Sequence, residues 1–134
     1  MTNVKIQSSN EPRNPNNKTY DLEDRTAEFG EDVIEFAKSL EKDTVNRSLI
    51  GQLVRSATSI GANYMEADGA ESKKDFQHKI ALCKKEAKET KHWLRMIAKA
   101  NPHKNVNCRE LWQESQELAL IFSSIILSKG KKSL

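Results

Sequence analysis

The sequence predicts an all-α fold, an antiparallel up-down-up-down bundle of four helices, on three observations. Glycine and proline are scarce: five and three in 134 residues, with two of the prolines inside the first fifteen. A β fold needs a turn residue every few positions, so that scarcity argues against one. Apolar residues recur at four- and three-residue intervals in four successive segments, which is the period of a helix with one buried face. The breaks between these segments are short, and short connections make consecutive helices antiparallel neighbours.

Residues 1–19 are polar, rich in asparagine and proline, and show no periodicity. They read as a disordered tail with too little apolar surface to offset its ordering entropy. The bundle is expected over residues 20–128. Its first helix, about Asp21 to Lys42, carries Leu22, Phe29, Val33, Phe36 and Leu40 on one stripe, with Asp21, Glu23 and Asp24 at the positive end of the helix dipole. Asp43-Thr44 offers a turn and an N-cap. The second helix, about Val45 to Ala67, faces inward with Leu49, Leu53, Ala57, Ile60 and Tyr64, and Asp68-Gly69 breaks it. Ser72 caps the third, about Lys73 to Ala100, where Phe76, Ile80, Cys83, Ala87, Thr90, Leu94 and Ile97 form a heptad-like seam. Asn101-Pro102 ends it. The fourth runs from about Val106 to Ser128, its second half apolar nearly all round, and residues 129–134, KGKKSL, read as a basic C-terminal tail.

No apolar run reaches membrane-spanning length, and the first residues hold no apolar core of a signal peptide, so a cytoplasmic protein is expected. Cys83 and Cys108 are too few for a disulfide framework and read as small buried hydrophobes.

One stretch resists a simple reading. Arg55–Ala67, RSATSIGANYMEA, sits mid-helix yet is rich in serine, threonine, glycine and asparagine, all weaker helix formers than alanine. Gln52, Ser56, Ser59, Asn63 and Glu66 make a polar stripe beside the apolar one. It could be a close helix–helix contact, with the small residues admitting a neighbour's backbone and the polar groups satisfied nearby. It could instead line a ligand site, which an enzyme would require. No nucleophile–base pair accompanies these residues, which favours the packing reading. Arg55 is expected to pair with Glu86 or Glu89.

Charge is uneven along the chain. Residues 72–101 hold nine Lys/Arg against three Asp/Glu, whereas residues 20–43 hold three against nine. His78, Lys85, His92 and Lys99 recur every seven residues on the outermost line of the third helix, flanked by Lys84, Lys88, Lys91 and Arg95. Such a face is open to three readings. It is merely solvated, it attracts the acidic first helix within or between subunits, or it meets phosphate backbones when several copies cluster it. Leu82, Trp93 and Met96, with Trp112 on the fourth helix, are the expected anchors of a subunit contact. Glu89 and His92 have the Glu-x-x-His spacing of di-iron bundles, but such a site needs two of these pairs facing inward. His92 falls on the outermost line, so no metal and no cofactor is expected.

The run QLVRSATSIGANYMEADGAESKKDF, followed by CKKEAKETKHWLRMI, resembles the bacterial 23S rRNA-intervening-sequence proteins. The resemblance rests on Arg55-Ser56, Ser59-Ile60, Ala62-Asn63 and Glu66, then Ser72, Lys73 or Lys74 and Phe76, then Lys85-Glu86-Ala87, Glu89-Thr90 and Trp93-Leu94. The chain departs from the family pattern at Ala67-Asp68, where a glycine usually follows the glutamate. The resemblance covers residues 20–128 and implies a four-helix bundle assembled into a ring, a pentamer. The chain is also similar to accessory proteins of diversity-generating retroelements, basic pentamers that bind a reverse transcriptase and nucleic acid. No catalytic mechanism comes with the resemblance, and it makes the motif structural. The expected function is that of a non-enzymatic homo-oligomer, with Lys84, Lys85, Lys88, Lys91, Arg95 and Lys99 offered to RNA or DNA backbone. The alternative is a protein-docking scaffold with no nucleic-acid role.

Overall fold

The structure is a computed structural model that describes residues 22–133, with side chains as far as residue 128. The N-terminal segment read as a disordered tail lies outside the described residues. Four helices follow in order: α1 (Leu22–Lys38), α2 (Thr44–Asp68), α3 (Lys73–Ala100) and α4 (Asn105–Ser133). A 3₁₀ turn, Pro102–Lys104, joins the last two. Among the described residues there is no strand.

Local chemistry sets the helix boundaries. Asp43 caps α2, its carboxylate accepting the Asn46 N–H at 2.8 Å, and the Ser72 hydroxyl accepts the Asp75 N–H at 3.0 Å to start α3. Two boundaries differ from expectation. α1 stops at Lys38 rather than near Lys42, because Ser39 and Leu40 donate to the carbonyls of Phe36 and Ala37, three residues back. The Lys42 ammonium then takes the Leu40 carbonyl at 2.6 Å. α4 continues through Ser133, where a tail was expected from residue 129. Lysine is a good helix former, and one glycine costs a helix only about 1 kcal/mol.

Neighbouring helices run antiparallel, as their contacts show. Climbing α2, Ser56 meets Thr90, Ile60 meets Cys83 and Glu66 meets Lys79, so positions rise on one helix as they fall on the other. Between α1 and α2, Gly30 lies against Thr58 and Gly61 against Thr26. Between α3 and α4, Ala87 meets Ser115 and Lys91 meets Trp112. α1 also touches α4, closing a square, while no Cα of α1 comes within 8 Å of α3. The two helices of opposite charge therefore stand on opposite corners. Attraction between them within one chain, one of the readings above, is not how this bundle is held.

The core is drawn from the predicted stripes: Phe29, Val33, Phe36 and Leu40; Leu53, Ala57 and Ile60; Ile80, Cys83, Ala87, Leu94 and Ile97; with Cys108, Leu118, Ala119 and Phe122 from α4, while Leu49, Tyr64 and Phe76, expected with them, are only partly buried. Polar groups buried among them are satisfied in pairs. The amides of Asn46 and Asn101 donate to one another at 3.0 and 2.9 Å. Each also reaches a main-chain carbonyl, of Glu41 and Ile97 respectively. This double bond ties the α1–α2 connection to the end of α3. The Ser115 hydroxyl donates to the Ala87 carbonyl at 2.8 Å. On the outside, Arg25 staples α1 to α4, its guanidinium gripping Glu114 at 2.7 and 2.8 Å and Glu117 at 2.9 Å.

Candidate nucleic-acid interface

The stretch Arg55–Ala67 is a packing device. Ser56 is fully buried, lying in the core rather than beside it. Its hydroxyl reaches the Leu53 carbonyl and stands 2.8 Å from that of Thr90, which also reaches the Glu86 carbonyl. Ser59 donates to the Arg55 carbonyl at 2.7 Å and the Asn63 amide to the Ser59 carbonyl at 2.9 Å. Each of these polar groups is thus absorbed by its own helix or by the neighbouring one. On the other side of α2, Gly61 lies so close to α1 that a Cβ there would sit 3.4 Å from the Thr26 main chain. The small residues let two backbones approach. Arg55 takes both of the partners considered for it, Glu89 at 2.8 Å and Glu86 at 3.4 Å, and the Glu89 hydrogen bond in particular raises its pKa. Glu66 pairs with Lys79 at 2.7 Å.

These pairs also sort the charges of α3. Glu86 and Glu89 are held by Arg55 on the flank facing α2. The cations on the other flank and on the outer line keep no carboxylate partner among the described residues: Lys84, Lys85, Lys88, Lys91, Arg95 and Lys99. They form a positive ridge along the C-terminal half of the helix. Lys91 is anchored by the Gln116 side chain and sits 5.0 Å from the centre of the Trp112 ring, a cation–π contact that holds the ammonium beside an exposed aromatic face. Leu120 and Leu127, both exposed, continue α4 beyond it.

The two tryptophans do not form one patch. Trp112 belongs to the ridge side. Trp93 lies half-buried against the core, its ring edge-on to His92 at 4.9 Å, and its indole N–H is buried with no acceptor. Leu82 and Met96 are half-buried. Among the described residues no cluster of His, Cys, Asp and Glu could hold a metal ion, and no helix is long and apolar enough to cross a membrane.

The thiols are free and buried. Burial pushes the Cys83 thiol up to about 12 and that of Cys108 up to about 11. Since the thiolate is the nucleophile, neither is suited to redox or covalent chemistry. A pKa raised in the folded state stabilises the fold fully below the ordinary thiol value and is lost as pH rises toward the folded one. We expect the bundle to weaken from the ordinary thiol pKa upward, over a window closing near 12. Alkylation at pH 8 should track unfolding, checked by mass spectrometry across a urea series; rapid labelling of the native protein would contradict this.

Sequence reasoning missed three connections: the Asn46–Asn101 pair, the Arg25 staple and the Ser115 bond. Faint signals existed. Asn46 lies three residues after the N-cap, Asn101 precedes a proline, and Arg25 is a lone cation among the acids that open α1.

The described chain is a four-helix bundle with a charged ridge on α3. The family profile described as 23S rRNA-intervening sequence protein matches residues 18–124, and the chain belongs to that family. A solved structure from Bacteroides thetaiotaomicron, a protein of unknown function from the S23 ribosomal protein family, is 31% identical with a TM-score of 0.71. The match covers 78% of this chain and 97% of that one. No curated protein matches.

Proposed function

We propose that this chain is a non-enzymatic, homo-oligomeric bundle protein, a pentamer as the resemblance implies, that holds RNA or DNA by its phosphate backbone along α3. The observation that carries this is the ridge itself: six cations on one side of a helix, without carboxylate partners among the described residues. Trp112 beside Lys91 adds a face on which an unpaired base can stack. A ring that repeats the ridge raises the local positive potential, which a single chain of net charge +3 does only weakly. Recognition would be of backbone, not of sequence, and therefore strongly salt-dependent.

The test is binding of a labelled single-stranded RNA and of duplex DNA across a salt series, with molar mass measured in parallel by light scattering. Changing Lys91, Arg95 and Lys99 together to glutamine should flatten the dependence of log K on log salt by roughly 2 to 3 units and leave the molar mass unchanged. An unaltered slope refutes the reading. The exposed Trp112, Leu120 and Leu127 favour a second one, in which α4 docks a protein partner and the ridge only keeps the assembly soluble.

A further inference from the structure

Across α4 from the ridge lies its electrostatic complement. Between α1 and α4, beyond the Arg25 staple, lies a cleft of about 610 Å³. Phe29, Phe36 and Leu111 line its floor, and Asp32, Glu35, Glu110, Glu114 and Glu117 its walls. Glu114 and Glu117 are held by Arg25 toward one end, and Lys104 donates to Ser39 at the other. Glu35 and Glu110, exposed on the rim, have no cation partner among the described residues.

The ridge carries a matching feature. On its exposed face Lys84, Lys85 and Lys88 gather around the small Ala81 and present concentrated positive charge. Because α1 and α3 stand on opposite corners, these lysines cannot reach the cleft of their own chain. They can reach that of another. Negative cleft and positive ridge on different sides of one molecule make a heterologous contact, which closes into a ring or runs on as a filament.

We propose that the α1–α4 cleft of one copy receives the Lys84–Lys88 turn of α3 from a second copy, head to tail. This rests on the reading of the protein as a homo-oligomer and names the surfaces that join. The cleft is short beside a helix of 28 residues, so Lys91, Arg95 and Lys99 stay open to phosphate.

Charge exchange tests it. Light scattering at low salt should give the wild type a mass well above the 15.2 kDa of one chain. Both Glu35→Lys/Glu110→Lys and Lys84→Glu/Lys88→Glu should fall to that value, with circular-dichroism melts confirming that each is folded. All four changes in one chain, which swap the charges at every junction, should recover the wild-type mass. A cleft variant that keeps the wild-type mass, or a four-fold variant that stays monomeric, overturns the docking. A monomeric wild type overturns both the docking and the oligomeric reading. An assembled wild type whose mass neither double change lowers overturns the docking alone.

Discussion

Replacing Asn101 by alanine will lower the stability of the bundle by about 3 kcal/mol and its melting temperature by on the order of 10 °C. Asn101 is 4% exposed and its partner Asn46 2%, so neither amide has water to fall back on. The substitution strands the Asn46 side-chain oxygen and leaves a cavity where the amide lay, while the Ile97 carbonyl keeps the main-chain N–H of residue 101. A buried polar atom left alone costs about 1 to 3 kcal/mol, more than the bond itself contributes on balance. The asymmetry gives a sharper check. Removing both amides, as Asn46→Ala/Asn101→Ala, should cost clearly less than the sum of the single losses, because no orphan remains within the pair. Melts followed by circular dichroism decide it; additive losses would show that each amide is held by its main-chain carbonyl and not by the other.

The second large effect belongs to Gly61. Alanine there should be tolerated, because its Cβ would meet Thr26 at 3.4 Å, an ordinary contact, and the helix gains from losing a glycine. Leucine should not be. Its further carbons point into the main chain of α1, which cannot move aside as a flexible side chain can. Overpacking of this kind costs about 1 to 3 kcal/mol and occasionally more, and we place Gly61→Leu at the upper end. Urea melts should show the alanine variant within about 1 kcal/mol of wild type and the leucine variant far below it. Equal stabilities would mean that α1 does not lie against α2 as closely as Gly30 and Gly61 together indicate.

These two residues show what could and could not be read from the sequence. The helices and core positions follow from spacing, because a buried seam imposes its period on every turn it crosses. Gly61 was legible as a small residue on a helix face, and so was the close approach it permits. Which helix approaches was not, since a small residue names no partner. Asn46 and Asn101 were illegible as a pair. They lie 55 positions apart, and a buried amide looks in sequence like any asparagine near a helix end. Arg55 was the intermediate case: its register against Glu86 and Glu89 followed from the antiparallel hairpin, but not that it would engage both. The ridge was visible as a charge pattern. What the sequence hid is that its acidic counterpart lies on the far corner, because the order of helices around the square is a tertiary fact.

The square also bears on how the chain reaches this structure. α1 with α2, α2 with α3 and α3 with α4 are neighbours in sequence as well as in space, and each pair can form through a short loop closure. Such local topology favours fast folding. The contact of α1 with α4 is different in kind, since Arg25 and Glu114 are separated by 89 positions. Bringing them together closes the longest loop in the described chain for a narrow contact, so this edge should assemble last and open first. α1 would then be the helix whose amides exchange earliest with solvent, on a core of α2, α3 and α4 that stays shut.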